Sequence, residues 1–136
     1  MINLISPQRD MITSAVKTIN AISDVPVFDS NESDSNSYPQ IIISTGSTGS
    51  SERAKNEQRS SYTLYVDYFD GVDNDHGLMM DTCYMIRNYL MYLRLSNYNC
   101  KSVAHNEIEV IDNSTSQSLR HVTITIDYNI TEKSFI

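Results

Sequence analysis

Apolar residues recur along the chain with two spacings, and the change from one spacing to the other predicts the order of its elements. In residues 6–24 the apolar positions follow the spacing of a helix with one buried face. They are Ile12, Ala15, Val16, Ile19 and Ile22. Ser6 suits the N-cap and Pro7 the first helical position, where no backbone donor is needed. We expect this first helix to end near residues 23–24, ahead of Pro26.

Strand patterns occupy most of the remaining chain. Three consecutive isoleucines at residues 41–43 indicate a strand that is buried on both faces. Residues 61–69 and 119–130 alternate between apolar and polar side chains, as strands with one buried face do. Residues 103–111 indicate another substantial strand, and residues 25–28 a short extended piece.

The segment between two of these strands, residues 46–60, is polar and reads GSTGSSERAKNEQRS. Connections of this length are uncommon and are usually functional or disordered, so we predict a hairpin with a long loop. Three basic and two acidic residues give the segment a net charge of +1. Two interpretations remain open: a solvated loop, and an arm that contacts a neighbouring acidic subunit or lines a channel. The candidate subunit-interface residues are Gly46, Ser50, Glu52, Arg53, Lys55, Glu57 and Arg59.

A second helix is predicted from about Leu78 to Arg94, after an acidic turn in which Asp73 and Asp75 are N-cap candidates. Its predicted buried stripe is Leu78, Thr82, Met85, Ile86, Tyr89, Leu90 and Leu93. Further apolar residues widen the surface beyond one face, which is typical of a helix that packs on two sides or meets a partner. These candidate partner-facing residues are Met79, Met80, Tyr84, Met91 and Tyr92.

The order of the elements predicts an α+β fold in a single domain, residues 1–136. We expect a mixed, mainly antiparallel sheet of about four to five strands. Two helices should pack on one face of the sheet, and the long hairpin loop should join its central strands.

The composition narrows the possible partners. The chain has 17 acidic and 10 basic residues and a net charge of −7, which disfavours sequence-specific binding of DNA or RNA. An acidic surface is compatible with a pore through which DNA passes without sticking, because like charges repel. No apolar run is long enough to span a bilayer, and the first residues carry no secretion signal. We therefore expect no membrane partner and synthesis inside the cell, with both cysteines reduced.

The sequence shows no arrangement that would predict a cofactor, a metal site or a catalytic centre. The three histidines lie apart, and Cys83 and Cys100 do not form the close pair that a zinc site uses. The acidic turn after residue 70 lacks the Gly and Glu positions of a calcium loop. The segment that starts at Gly46 lacks the lysine and the helix of a phosphate-binding loop. We expect a protein without enzymatic activity, although a Ser-His-Asp site built from dispersed residues would not be visible in a sequence.

Three stretches carry a family resemblance: YPQIIIS at residues 38–44, YTLYVDYFDG at residues 62–71 and HVTITIDYNI at residues 121–130. In the first a proline stands directly before the apolar run, and the last ends in an alternating, tyrosine-terminated strand. In this order, with an opening amphipathic helix, the chain resembles the tail terminator or tail-to-head joining proteins of long-tailed bacteriophages. The resemblance covers about residues 6–130 and rests on element order and hydrophobic pattern.

The resemblance implies a structural virion protein that forms a ring, expected to be a hexamer, with no catalytic residues and no cofactor. Such a ring caps the tail tube, ends its polymerisation and presents a surface to the head-tail connector or neck protein. DNA would pass through its lumen without specific binding. The protein would be assembled in the host cytoplasm and reside in the tail or neck of the virion. The family's long hairpin loop corresponds to residues 46–60 and would contact a neighbouring subunit or face the tube.

Two other interpretations remain open. The chain could be a different virion component, such as a tube, neck or head-completion protein, since tube proteins and terminators share a related fold. It could also be a small enzyme or ligand-binding domain, which would need a concave pocket with convergent polar groups.

Overall fold

The computed structural model describes residues 5–29, 37–54, 57–114 and 116–133. The elements in chain order are helix α1 (Pro7–Ile22), strands β1 (Val27–Asp29), β2 (Gln40–Ala54) and β3 (Glu57–Gly71), helix α2 (His76–Met91), and strands β4 (Asn99–Asp112) and β5 (Leu119–Lys133). No helix among these residues is long and apolar enough to cross a membrane.

Both helices begin at the side chains that the sequence predicts. The Ser6 hydroxyl accepts a hydrogen bond from the Arg9 backbone N–H at 3.1 Å, and the Asp75 carboxylate accepts one from the Leu78 N–H at 3.0 Å. Each contact satisfies a donor that the first helical turn leaves free. At the other end of α1 the Ser23 N–H donates to the Ile19 carbonyl oxygen, so the helix stops where Pro26 requires it to.

The five strands form one sheet in the order β1-β2-β3-β5-β4. The short edge strand β1 runs parallel to β2, and the other neighbouring pairs are antiparallel. The predicted α+β class, with a mixed and mainly antiparallel sheet, is therefore confirmed.

One hydrophobic core lies between the helices and one face of the sheet. The alternating residues of β3 and β5 that the sequence predicts to be buried are inside it, together with Ile41 and Ile43 of β2. Ile42 points to the other face and is only half-buried, so the expectation of burial on both faces of this strand holds for two isoleucines of three. The central buried residues of β3 and β5 are Leu64, Val66, Tyr68, Val122, Ile124, Ile126 and Tyr128.

The predicted long loop between β2 and β3 is instead an extension of both strands. Pairing continues past the core from Ser51 opposite Ser60 to Ala54 opposite Glu57, after an irregularity that follows Ser47. The end of β5 adds a third strand there, since Glu57 also pairs with Lys133. This segment is paired through its backbone N–H and C=O groups. Such pairing does not need alternating apolar side chains, so the sequence does not show the strand pattern here. We call residues 47–54 and 57–61 the arm; Lys55 lies outside the described residues.

The buried side of α2 also differs from the predicted stripe. Met79, Cys83, Ile86 and Leu90 face the core, whereas Leu78, Met85 and Tyr89 are exposed. Met79 is 1% exposed, so its prediction as a partner-facing residue is wrong. Ile86, Leu90 and Leu93 of the predicted stripe are buried as expected. At the other positions the neighbouring residue is buried instead, because apolar residues occur on both sides of this helix and spacing alone does not separate them.

A buried hydrogen bond ties α2 to the centre of the sheet. The Tyr128 hydroxyl, at the end of a fully buried side chain, donates to the carbonyl oxygen of Leu90 in the last turn of α2. Burial raises the pKa of Tyr128 above its usual value. The hydroxyl therefore stays protonated at neutral pH and can donate this hydrogen bond, which holds the last turn of α2 against β5.

Replacing Tyr128 by Phe should lower the free energy of unfolding by about 1 kcal/mol, because one buried hydrogen bond is lost while the ring remains. Urea denaturation monitored by circular dichroism measures this change. The matched control is Tyr92→Phe, whose side chain is 81% exposed and which should change stability by less than about 0.5 kcal/mol. Equal losses in the two variants would show that the contact with Leu90 contributes nothing.

Candidate interaction surfaces

Six large apolar side chains of α2 do not face the core and are exposed. We call them the outer face of α2: Leu78, Met80, Tyr84, Met85, Tyr89 and Tyr92, which are between 40% and 81% exposed. Met80 and Tyr84 lie toward β4, whereas Leu78, Tyr89 and Tyr92 lie toward α1. Exposed apolar side chains in this number are typical of a surface that meets a partner. Of the predicted partner-facing residues, Met80, Tyr84 and Tyr92 belong to this face, Met91 is half-buried and Met79 is in the core.

A groove of about 510 Å³ separates α2 from the edge strand β4, and ion pairs cross it. The His76 ring nitrogen Nε2 lies 2.9 Å from Glu109, and Arg87 lies 3.6 Å from Glu107. Arg120 reaches the second oxygen of Glu109 at 3.5 Å. Glu107 and Glu109 of β4 are therefore matched by basic or titratable partners within the same molecule.

A second groove, of about 650 Å³, lies where α1 ends and α2 begins, beside the start of β2 and the end of β3. We call it the end groove. Asp24, Asp70 and Asp75 line it, and none of its lining residues is basic. Asp70 is buried and accepts hydrogen bonds from the Gly71 N–H at 2.9 Å and from the Asn74 amide at 2.6 Å. This groove therefore carries negative charge that its own walls do not neutralise.

The face of the sheet opposite the helices carries a polar network at its centre. The Asp67 carboxylate oxygen Oδ1 accepts a hydrogen bond from the Thr123 hydroxyl at 2.8 Å and lies 2.7 Å from the His121 nitrogen Nε2. The His121 ring stacks on Phe69, with ring centroids 4.1 Å apart. These residues are direct or diagonal neighbours on β3 and β5, so the network joins the two central strands.

This His-Asp-Thr cluster lacks the geometry of a catalytic triad. A triad needs the carboxylate on one ring nitrogen and the nucleophile on the other. Here Asp67 and Thr123 approach the same nitrogen, Nε2 of His121, at 2.7 and 3.2 Å. Neither the α2–β4 groove nor the groove between the end of α1 and the start of α2 includes these side chains. The cluster is therefore best understood as a cross-strand contact.

Both cysteines are free thiols held in apolar surroundings. Burial, with a smaller contribution from nearby carboxylates, raises the pKa of Cys83 to about 12. Burial raises the pKa of Cys100 to about 12 as well, with a further contribution from Asp10. A nucleophilic cysteine needs the opposite shift. Within the described part of the chain, no group of three or more His, Cys, Asp or Glu residues could hold a metal ion.

The predicted subunit-interface residues lie along the arm and its base. Gly46 is at the base, where its backbone approaches the Tyr65 ring: a Cβ atom there would lie 3.4 Å from it. Ser50, Glu52 and Arg53 belong to β2, and Glu57 and Arg59 to β3. Arg59 is exposed and lies opposite Glu52 of β2 in the strand pairing.

Comparisons with known proteins support the fold and leave the function open. No family model and no curated protein matches the chain. A solved structure whose name states no function is similar over 92% of this chain and 96% of its own, with a TM-score of 0.55 and 12% sequence identity. At this identity the likeness shows the fold alone.

The sequence singles out residues of the arm and part of the outer face of α2, whose role in an interface stays a prediction, and it does not indicate the end groove or the central polar network. The end groove combines residues from α1, β2, β3 and α2, which only the tertiary fold brings together. The network has a faint signal, because Asp67, His121 and Thr123 occupy the polar positions of alternating strands. Nothing in that alternation indicates which polar residues become neighbours across strands.

The raised thiol pKa values predict slow alkylation of the folded protein. At pH 8 a thiol with a pKa of about 12 is ionised in about one molecule in ten thousand. Iodoacetamide should therefore label Cys83 and Cys100 at least about 100-fold more slowly in the folded chain than in urea. Mass spectrometry measures both rates, and Cys83→Ser and Cys100→Ser assign them. Labelling of either thiol at its unfolded rate would contradict the described burial.

Proposed function

We propose that this protein is a ring-forming structural component of a bacteriophage tail, which caps the tail tube, ends its growth and joins the tail to the head connector. The observation that carries the proposal is the exposed outer face of α2, together with a projecting arm on the same subunit. Each of these surfaces suits contact with another protein chain, and the two differ in shape and chemistry.

Two unlike surfaces on one subunit are what a closed ring requires. In a ring, each subunit presents one patch to the neighbour on its left and a different patch to the neighbour on its right. A two-fold dimer would instead pair one patch with itself. The six large apolar side chains on the outer face of α2 supply one patch. The arm, which extends β2 and β3 beyond the core, supplies the other.

The resemblance to tail terminator proteins gives the ring its proposed place and size, a hexamer at the end of the tail tube. The net charge of −7 is compatible with that place. A ring built from acidic subunits repels the phosphate backbone, so DNA would cross its lumen without being held. The proposed partners are further copies of the chain, the tail tube protein, and the head-tail connector or neck protein.

Inactivating the gene in the phage genome that encodes it tests this proposal. We expect overlong tails that fail to join heads, and complementation in trans should restore tails of normal length, both measured in electron micrographs of lysates. Tails of normal length beside unjoined heads would instead favour the alternative of a neck or head-completion protein. Infectious particles without the protein would contradict any structural role.

A substitution on the outer face of α2 should separate assembly from folding. Met80→Gln combined with Tyr84→Gln replaces two exposed apolar side chains by a residue that forms helices well. The free energy of unfolding should change by less than about 1 kcal/mol in total. Self-association measured by light scattering, and complementation of the inactivated gene, should fall at least about tenfold.

The matched control for that variant is Val103→Gln, an apolar side chain of similar exposure on β4. It should leave assembly within about threefold of the wild type, since single surface changes away from an interface have small effects. If the α2 variant and the control change self-association equally, the outer face of α2 is not part of the interface.

A further inference from the structure

β4 lies at one edge of the sheet, and its outer side is open. It has 14 residues, and among the described strands only β5 pairs with it. An edge strand presents a row of backbone N–H and C=O groups that can pair with a further strand. β1, at the other edge, offers less of such backbone, because it has three residues and follows Pro26, which has no N–H.

The first part of β4 carries features that usually block an edge strand. Such features are proline, lysine and bulges. Lys101 stands next to a bulge, in which Val103 lies outside the ladder between Ser102 and Ala104. Residues 104–112 contain neither lysine nor proline, so this second part of the edge is not protected in the same way.

Apolar side chains are exposed along the second part of β4. Ile108 is 54%, Val110 49% and Ile111 54% exposed. The carboxylates between them are directed toward α2, because Glu107 and Glu109 form ion pairs with side chains of that helix. A strand that pairs with this part of β4 would therefore also cover apolar surface.

The charged and titratable residues of β4 are divided between its two halves. Lys101 and His105 occur in the first half, and Glu107, Glu109 and Asp112 in the second. When two β4 strands pair antiparallel, the first half of one lies opposite the second half of the other. Opposite charges across a strand pair are stabilising. A second copy of this chain therefore has the charge distribution that the edge requires.

The ladder with β5 shows where the two-fold axis of such a pair would lie. Counted along β5, the partners of β4 run from residue 131 to residue 119, and Asn106 pairs with the middle one, residue 125. A two-fold axis at Asn106 therefore lets the two strands overlap over their whole length. It places His105 opposite Glu107 of the second copy, and it opposes no like charges.

Other positions of the axis fit less well. An axis at Glu107 places this carboxylate opposite its own copy, and an axis at Ile108 places Glu107 opposite Glu109. Like charges directly opposite one another destabilise a strand pair. An axis closer to the start of β4 leaves the end of each strand unpaired. Asn106 is therefore the position that combines full overlap with matched charge.

We propose that two copies of this chain join edge to edge through β4, antiparallel about a two-fold axis at Asn106, so that their sheets become continuous. This contact joins like surfaces, whereas the proposed ring joins unlike ones. It uses neither the arm nor the outer face of α2, so it is independent of the ring contacts. A single pair of edge strands buries less area than a standard interface, and we expect a dissociation constant on the order of 100 µM.

Cysteine cross-linking of the full chain tests the position of the axis. Residues directly opposite one another in antiparallel strands have Cα atoms about 4.5–5.5 Å apart, which a disulfide can bridge. In the proposed dimer, Asn106→Cys meets its own copy. Asn99→Cys is the matched control, because Asn99 is also exposed on β4 but lies roughly 40 Å from its copy. With oxidised glutathione, we expect disulfide-linked dimers of Asn106→Cys to form at least about tenfold faster, and mass spectrometry of the linked peptides identifies the bond.

A substitution that blocks the edge tests the contact without an added cysteine. Ile108→Lys places a lysine on the open edge, as natural edge strands do, and Ile108 is already exposed, so the fold should be retained. It should weaken dimerisation at least about tenfold in sedimentation equilibrium. Thr13→Lys adds the same charge on the exposed side of α1 and should leave dimerisation within about threefold of the wild type. Circular dichroism melting checks that both variants fold.

The outcomes separate this contact from the proposed ring. Fast cross-linking at residue 106 with slow cross-linking at residue 99, together with weaker dimerisation of Ile108→Lys, supports the contact. Equal cross-linking at the two positions, or equal dimerisation of Ile108→Lys and Thr13→Lys, overturns it. Neither of these results affects the ring, which rests on other surfaces and is tested by inactivation of the gene.

Discussion

The pairing of β3 with β5 is the interaction on which the rest of this structure depends. The two strands are matched from Glu57 opposite Lys133 to Gly71 opposite Leu119. In the middle of this ladder, alternate residues of both strands build the floor of the core. At one end the same ladder continues past the core and supports the arm. At the other end β3 leads into the turn that caps α2 and walls the end groove. One long antiparallel pair therefore fixes the core, the arm and the start of α2.

The position of α2 depends on the core-facing residues of β3 and β5, and it determines which side chains of the helix are exposed. Tyr128 of β5 holds the last turn of the helix through the Leu90 carbonyl, and the Ser102 hydroxyl of β4 donates to the Met91 carbonyl oxygen at 2.8 Å. With Met79, Cys83, Ile86 and Leu90 turned to the sheet, the other apolar residues of the helix can only point outward. The helix thus contains more apolar surface than one subunit can bury, and a neighbouring chain is the proposed cover.

The sequence predicts those elements in which apolar residues are buried and polar residues are exposed at regular spacing. It does not predict features that depend on backbone pairing or on which residues become neighbours in the tertiary fold. The alternation in β3 and β5 and the caps at Ser6 and Asp75 all match the structure. The arm was predicted as a loop because its strands are held by backbone hydrogen bonds and leave no apolar pattern. In α2 the predicted burial of Ile86 and Leu90 is confirmed, but Met79 is buried in place of Leu78, since the two are equally plausible core residues until the sheet beneath them is known. The end groove had no signal, because four elements contribute to it.

The central claim is that these subunits join through unlike surfaces, and imaging of the purified protein tests it most directly. Particles should be examined by electron microscopy across a range of concentrations, alone and with tail tubes added. The account predicts closed rings in which the arm of each subunit reaches the α2 side of the next. Two-fold dimers joined through the outer face of α2, or subunits that remain single on tube ends, would contradict it.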